Sequence, residues 1–252
     1  MLELLLLLGS AVVSFLYAWL GLAYAIALML ILHMLGVQLG VAIPVVLASQ
    51  IVAASLGVAL RRDHPSKRRG VKSSAVIAVA ALSAYLSALL VGVSLDDYSR
   101  LIGLMLILLV SAAINFMGDR WRREDPPNST AIDVATGISA GVVKGVFGGG
   151  ITPMLIAAQR LGGLGIDETL FRTLFAHIIM CLTALVPYVL RYGFDLEMFT
   201  FIVLGSVVGV LAGYLLLRRV KPSIRVKLAS TVMVALAIAL FIKLLFESLG
   251  VY

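Results

Sequence analysis

Long apolar segments occupy almost the whole chain, and they constrain its fold more than any other feature. Eight segments are separated by short, charged stretches: 2–35, 38–60, 73–94, 99–117, 131–160, 168–190, 196–217 and 223–246. A helix needs about 20 residues to cross the hydrocarbon core of a bilayer. The first and fifth segments are too long for one crossing and contain glycine breaks. The pattern therefore predicts an all-α polytopic membrane protein.

The composition supports this class and excludes others. Hydrophobic residues make up 62% of the chain and charged residues 13%, an apolar excess that soluble domains do not need. The net charge of +7 could suit nucleic acid, but the basic residues cluster in short loops between apolar segments, as the positive-inside rule expects. We therefore predict a lipid bilayer as the surroundings and no binding to nucleic acid.

The charged loops predict which segments share a membrane face. If segments 2–35 and 131–160 each enter and leave on the same face, the basic loops 61–72, 118–130 and 218–227 all lie together. That face then carries sixteen basic and seven acidic residues, and the other carries three basic and six acidic residues. The positive-inside rule places the basic face in the cytoplasm. The expectation is a multi-pass protein of the cell membrane with both termini outside.

An internal repeat follows from the same arrangement. Residues 1–117 form a first membrane repeat, 118–130 a cytoplasmic connector, and 131–252 a second repeat. Each repeat contains a glycine-broken hairpin and three transmembrane helices, and this odd number of crossings inverts the halves relative to each other. The predicted register aligns the glycines at 9 and 21 with those at 137 and 149. Whether each broken segment is re-entrant or a pair of short spans stays open.

The stretch from Gly137 to Pro153 is the most informative motif for function. A helix with small residues meets three consecutive glycines, Gly148, Gly149 and Gly150, and a new helix is expected after Thr152 as the N-cap. Broken helices at membrane depth are tolerated only against protein or a polar cavity. The free N–H groups of a helix start attract anions, and broken helices mark the binding sites of many transporters.

Few residues within the apolar segments can carry chemistry. Lys144 lies about 20 Å into its segment by helix rise, too deep for its ammonium to reach the interface easily, so we predict that it binds substrate. His177 lies in the middle of its segment and could bind a ligand or a proton, or could be structural. The other candidates offer uncharged hydrogen bonds or a close backbone approach: Ser49, which the predicted register pairs with His177, Gln50, Ser14, Tyr17 and Gly21.

The sequence gives little support for an enzyme. No two carboxylates fall in the middle of the apolar segments, and no group of residues has metal-ligand spacing. No Ser-His-Asp set or phosphate loop is visible either. We therefore predict no catalytic residues, metal or cofactor, although an intramembrane enzyme stays as a third alternative. A cation pump would usually need a buried acid.

At the motif Gly145-Val-Phe-Gly-Gly-Gly-Ile-Thr-Pro153 the chain resembles the sulfite exporter TauE/SafE family. The resemblance extends over nearly the whole chain in length and segment order. It implies transport of small sulfur-containing anions such as sulfite, thiosulfate or sulfonates. The first half departs from the family pattern, because it has Trp19-Leu-Gly21-Leu where a glycine run is expected, and segment 171–177 matches the family's Thr-Ser stretch poorly.

The main hypothesis is a secondary transporter that holds a small anion near the bilayer midplane, at the broken-helix tips. Alternating access would move one half against the other. A coupling proton or sodium ion is left open, and so are the direction of transport and the oligomeric state. The alternative is a membrane scaffold or accessory subunit in which the glycines serve only helix packing.

Overall fold

The computed structural model describes residues 2–21, 23–61, 67–92, 94–117, 129–161, 166–217 and 219–249. All regular structure within these ranges is helical. The helices are α1 (Leu2–Leu20), α2 (Tyr24–Met34), α3 (Leu39–Leu60), α4 (Lys67–Gly92), α5 (Asp97–Met117), α6 (Ser129–Phe147), α7 (Ile151–Leu161), α8 (Ile166–Tyr192), α9 (Leu196–Leu217) and α10 (Pro222–Ser248).

Six helices in the described ranges are long and apolar enough to cross a membrane. They span Leu2–Leu20, Leu39–Leu60, Asp97–Asn115, Asp167–Tyr192, Leu196–Leu216 and Ile224–Phe246. The prediction of an all-α polytopic membrane protein is therefore confirmed. Most of the expected connector, residues 118–128, lies outside the described residues.

The two long apolar segments each break into a long and a short helix at a glycine. The N–H groups of Gly21 and Gly148 donate to the carbonyl oxygens of Tyr17 and Lys144, each at 2.9 Å. Both glycines then turn with positive φ, +73° and +75°, a conformation that side chains with a Cβ disfavour. The helices before the breaks both have 19 residues, and those after the breaks both have 11 residues. Gly21 and Gly148 are therefore equivalent positions of the two halves.

The predicted register of the repeat is displaced by one position. The backbone pairs Gly21 with Gly148, not with Gly149. The sequence comparison was displaced because it aligned Gly9 with Gly137, two glycines in helix interiors. These two have different surroundings: a side chain at Gly9 would meet Ile31 of the same half, whereas one at Gly137 would meet the backbone of α4.

The core is built mainly between the halves and not within them. The most extensive packing joins α1 to α9, α4 to α6, α3 to α8 and α5 to α10. Each helix break is also covered by the opposite half: a side chain at Gly21 would meet Leu170, and one at Gly148 would meet Ile43. Ile43 and Leu170 are themselves equivalent in the register set by the two break glycines. This reciprocal packing is what two repeats predict, and their inverted orientation in the membrane stays a prediction.

Small residues allow the tightest of these helix contacts. Gly205, Gly209 and Gly213 recur every four residues on α9, and a side chain at any of them would meet the backbone of α1. Gly137 on α6 approaches the backbone of α4 in the same way. Close backbone approach at small residues is a common basis of helix association in membranes. The α1–α9 and α4–α6 contacts therefore depend on glycine.

Ion pairs gather the starts of three second-half helices at one end of the molecule. Arg172 of α8 lies 2.7 Å from Glu168 and 3.7 Å from Asp133 of α6. Arg225 of α10 lies 2.8 Å from Asp167 of α8. The first turns of α6, α8 and α10 therefore share one end of the bundle, which we call the Arg225 end. The placement of this end in the cytoplasm stays a prediction.

Candidate functional site

Lys144 lies in the interior of the bundle, at the last turn of α6 before the helix break. Its side chain is 1% exposed. Its Nζ donates to Oε1 of Gln50 and to Sγ of Cys181, both at 3.3 Å. These contacts exclude a lysine that extends to the membrane surface. Within the described residues no carboxylate lies within ion-pair distance of this ammonium group.

Gln50 connects Lys144 to His177. Because Oε1 of Gln50 faces the Lys144 ammonium, its amide nitrogen must face the other way, and Nε2 lies 3.2 Å from Nδ1 of His177. An amide nitrogen can only donate, so Nδ1 must be the accepting nitrogen of the ring. Nε2 of the neutral ring then carries the proton and points to Oγ1 of Thr152, 3.4 Å away. One lysine thus determines the tautomer of a histidine on another helix.

Tyr17 completes this cluster from the first half. Its hydroxyl lies 3.1 Å from Nδ1 of His177, and the two rings stack with centroids 6.3 Å apart. The members of the cluster, all buried, are Tyr17, Gln50, Lys144, Thr152, His177 and Cys181. We call this set the central cluster. Five helices contribute to it, and both halves are represented.

The central cluster reflects the repeat register found in the backbone. Tyr17 and Lys144 occupy equivalent positions, because the carbonyl of each accepts the hydrogen bond of a break glycine. The same register makes Gln50 the equivalent of His177. The expected pairing of Ser49 with His177 is therefore wrong. Tyr17 and Lys144 each contact a residue of the other half. Tyr17 contacts His177 on α8, and Lys144 contacts Gln50 on α3.

Ser49 belongs to a separate network. The hydroxyl of Tyr24 donates to Oγ of Ser49 at 2.8 Å and lies 2.9 Å from Oγ of Ser206. Ser49 in turn donates to the carbonyl of Val46 at 3.0 Å. Ser14 is buried, and its hydroxyl interacts with Tyr24 of the same network. The structure therefore separates Ser49 and Ser14 from the direct contacts of Lys144.

The three glycines after Lys144 are tightly packed by apolar side chains. A Cβ at Gly149 would lie 2.6 Å from Cε of Met29 and 2.9 Å from Cβ of Ala25. One at Gly148 would meet Ile43, and Gly150 combines close packing with a φ of +86°. These residues must be glycine for packing and backbone geometry. The approach of a ligand to their N–H groups stays a prediction.

The structure changes the expectation for Thr152 and shows the packing of Gly21. Helix α7 begins at Ile151, so Thr152 lies inside the helix and is not its N-cap. Its hydroxyl faces His177, because residue 152 projects from α7 toward α8. Gly21 lies outside the central cluster, where it packs against Ile156 and Leu170. Gly21 makes the turn of the first helix break, and its contact with a substrate stays a prediction.

A cavity of about 10 Å³ lies beside Lys144. Its walls come from α4, α6 and α8: Ala81, Leu82, Tyr85, Lys144, Met180 and Thr183. A space of this size holds about one water molecule. An oxyanion of several heavy atoms would therefore need the surrounding helices to separate before it could reach the ammonium group.

Sequence reasoning missed Cys181. Its Sγ lies 3.3 Å from Nζ of Lys144 and 3.3 Å from Oε1 of Gln50. The spacing of Cys181 from His177, four residues on the same helix, is a signal that could have revealed it. The partners of Lys144 in three dimensions are far from it in sequence, and no spacing rule identifies them.

The comparisons with known proteins agree with this architecture. The model of the family described as "Sulfite exporter TauE/SafE" matches residues 6–240, almost the full length. Among the curated proteins, none matches the chain. The family match covers both helix breaks and every member of the central cluster. The chain belongs to the sulfite exporter TauE/SafE family of membrane transporters.

Proposed function

We propose that the protein is a secondary transporter of a small sulfur-containing oxyanion, of the sulfite, thiosulfate or sulfonate class, which binds at the central cluster. The observation that carries the proposal is the environment of Lys144. Its ammonium is 1% exposed and contacts only neutral groups, Gln50 and Cys181, among the described residues. A buried charge without a counter-charge is costly. A bound anion would offset that cost.

The donors around Lys144 suit an oxyanion. An ammonium group has three N–H donors. In Lys144, two of them point to Gln50 and Cys181. The third can point to a ligand. Hydroxyl groups of Tyr17 and Thr152 border His177 on either side and can turn toward an oxyanion with several acceptor oxygens. One full positive charge and neutral donors favour a small, compact anion.

The distribution of the cluster over both halves supports alternating access. Tyr17 and Gln50 come from the first half, whereas Lys144, Thr152, His177 and Cys181 come from the second. Any movement of one half against the other must break the contacts of Tyr17 with His177 and of Gln50 with Lys144. Those contacts would form in a closed, empty state and open for substrate. This is the usual mode of broken-helix transporters.

Radiolabelled sulfite flux into proteoliposomes tests the proposal. We expect flux above that of empty liposomes for the parent protein, and a loss of at least tenfold for Lys144→Met. Lys227→Met is the matched control, because Lys227 is exposed on α10, and it should transport like the parent. Folded parent protein that carries neither sulfite, thiosulfate nor a sulfonate would favour the scaffold alternative.

A further inference from the structure

Helix α8 carries a row of polar side chains that extends beyond the central cluster. Thr169, Thr173, His177 and Cys181 recur every four residues, so they lie along one face of the helix. All four are at most 1% exposed. His177 and Cys181 belong to the central cluster. Thr169 and Thr173 continue the row toward the Arg225 end of the molecule.

The hydroxyls of Thr169 and Thr173 have no hydrogen-bond partner in the described residues. A buried threonine on a helix commonly donates to the carbonyl four residues earlier. Thr183, also on α8, does so with Ile179 at 2.6 Å, and Thr200 on α9 does so with Leu196 at 2.8 Å. Thr173 therefore leaves unused a hydrogen bond that its helix offers. Buried polar groups without a partner require a specific explanation.

Two side chains on neighbouring helices share this property. Gln159 of α7 is fully buried, and neither its amide nitrogen nor its oxygen has a partner. Arg225 of α10 is 3% exposed; its Nη2 donates to Asp167, but Nε and Nη1 have no partner. Both statements refer to the described part of the chain. Unused donors thus occur on three helices.

The packing of α7 against α8 places the helical turns that carry these groups at one level of the bundle. Thr152 on α7 lies beside His177 on α8, and Ile156 packs in one small cluster with Leu170 of α8 and Val226 of α10. Because α7 runs back along α8, the next turn of α7 places Gln159 level with the first turn of α8. Arg225 precedes Val226 and therefore belongs to the same layer.

We propose that Gln159, Thr169, Thr173 and Arg225 form a second binding station for the transported anion, between the central cluster and the Arg225 end. This inference rests on the proposed transport function. A guanidinium group, two hydroxyls and an amide suit an oxyanion, since all of them can donate. Thr169 lies two helical turns from His177, about 12 Å along the axis at roughly 1.5 Å per residue. An anion would occupy the station before or after it occupies the Lys144 site.

The station exists in one half only. The positions on α3 that correspond to Thr169 and Thr173 are Ala42 and Val46, both buried and apolar. The α2 position that corresponds to Gln159 is Leu32, which is also buried. The route between the central cluster and the opposite end therefore lacks this set of donors.

The reactivity of introduced cysteines tests directly whether an anion can reach the station from the Arg225 end. Thr173→Cys, Val46→Cys and Lys221→Cys are each made in the otherwise unchanged chain and treated in membrane vesicles with 2-sulfonatoethyl methanethiosulfonate, an anionic reagent that does not cross membranes. Peptide mass spectrometry distinguishes the new cysteine from Cys181. Lys221 is exposed near the start of α10 and identifies the side. We expect Thr173→Cys to react from the same side as Lys221→Cys and at least tenfold faster than Val46→Cys.

Reaction of Thr173→Cys no faster than that of Val46→Cys, or only from the opposite side, overturns the proposal. Sulfite flux provides the second measurement. Thr173→Val should lower flux at least fivefold while equilibrium binding at the central cluster stays within twofold of the parent. Thr200→Val, at an exposed threonine, should change neither. Flux of Thr173→Val equal to that of the parent also overturns the station.

The accessibility result separates this proposal from the transport function. If the parent carries no sulfur oxyanion but Thr173→Cys reacts as expected, the proposed substrate class fails. The station then remains as a region that an anion can reach from the Arg225 end. If the parent transports sulfite and Thr173→Cys is as inert as Val46→Cys, the transport function stands and the station fails.

Discussion

The two helix breaks have the same backbone geometry but different side-chain chemistry. Both turn at a glycine, with φ of +73° and +75°, after helices of equal length and before helices of equal length. Four residues before the turn, however, the first half has Tyr17 and the second has Lys144. A neutral hydroxyl and a full positive charge therefore occupy equivalent places. The two halves therefore have the same geometry at the break, but only the second half has a charged residue there.

Helices α3 and α8 show the same division. Their equivalent faces read Ala42, Val46, Gln50 and Ala54 on α3, and Thr169, Thr173, His177 and Cys181 on α8. All eight residues are buried, so a difference in exposure to solvent does not explain why one face is apolar and the other polar. The apolar face of α3 provides packing and one amide, whereas the face of α8 provides four polar groups. We infer that the second half carries most of the substrate chemistry.

The largest effect should appear when a side chain is forced into the glycine run of the second break. Gly149→Val would clash with Met29 and Ala25, and overpacking of this kind costs about 1–3 kcal/mol or more. We expect little folded protein and no flux, measured by thermal unfolding and sulfite transport after purification. Gly9→Val is the control, since a Cβ at Gly9 would lie 3.5 Å from Ile31 at its nearest contact.

The two outcomes of that experiment separate the roles of the glycines. A folded Gly149→Val protein that binds no sulfite would indicate that the backbone at this position contacts the ligand. A folded variant with parental flux would show that neither packing nor ligand approach requires glycine at this position.

A smaller effect is expected from Gln50, the first-half partner of Lys144. Gln50→Leu removes the acceptor at 3.3 Å from Lys144 and the donor at 3.2 Å from His177. A hydrogen bond to a charged group contributes about 1.5–3 kcal/mol, and this one is made in the closed, empty state and opens for substrate. Its loss destabilises the empty state more than the bound state, so we expect sulfite affinity to rise about three- to tenfold, or roughly 0.7–1.4 kcal/mol, by titration calorimetry.

Ser49→Ala is the control for this prediction, because Ser49 is the neighbour of Gln50 in the chain. Ser49 contacts Tyr24 and Val46, not the central cluster, so its loss should leave sulfite affinity within twofold of the parent. An effect of Ser49→Ala larger than that of Gln50→Leu would contradict the placement of Gln50, and not Ser49, at the binding site.

Much of the fold could be predicted from the sequence, because each prediction rested on local physics. Apolar length identified the membrane segments, and the glycine run around Gly148 located the second break. The repeat register was displaced by one position, because identical glycines at 9 and 137 were aligned although only glycines such as 21 and 148 adopt a positive φ. Residue identity was a weaker guide to equivalence than backbone conformation.

The candidate site was predicted only in part. Lys144, His177, Gln50, Tyr17 and Thr152 were identified singly, from their depth in the apolar segments and their chemistry. Their grouping depends on packing between the halves, which local patterns do not determine. Thr169, Thr173 and Gln159 were missed, although the four-residue spacing of polar residues on α8 was visible in the sequence.

Equilibrium binding of sulfite to purified Lys144→Met tests the central claim most directly. If Lys144 neutralises the bound anion, the variant should fold like the parent and bind sulfite at least tenfold more weakly, a loss of about 1.4 kcal/mol or more. Lys227→Met, at an exposed lysine, should bind like the parent. A folded Lys144→Met protein that binds sulfite as tightly as the parent would contradict the claim, because the buried charge would then have no part in holding the anion.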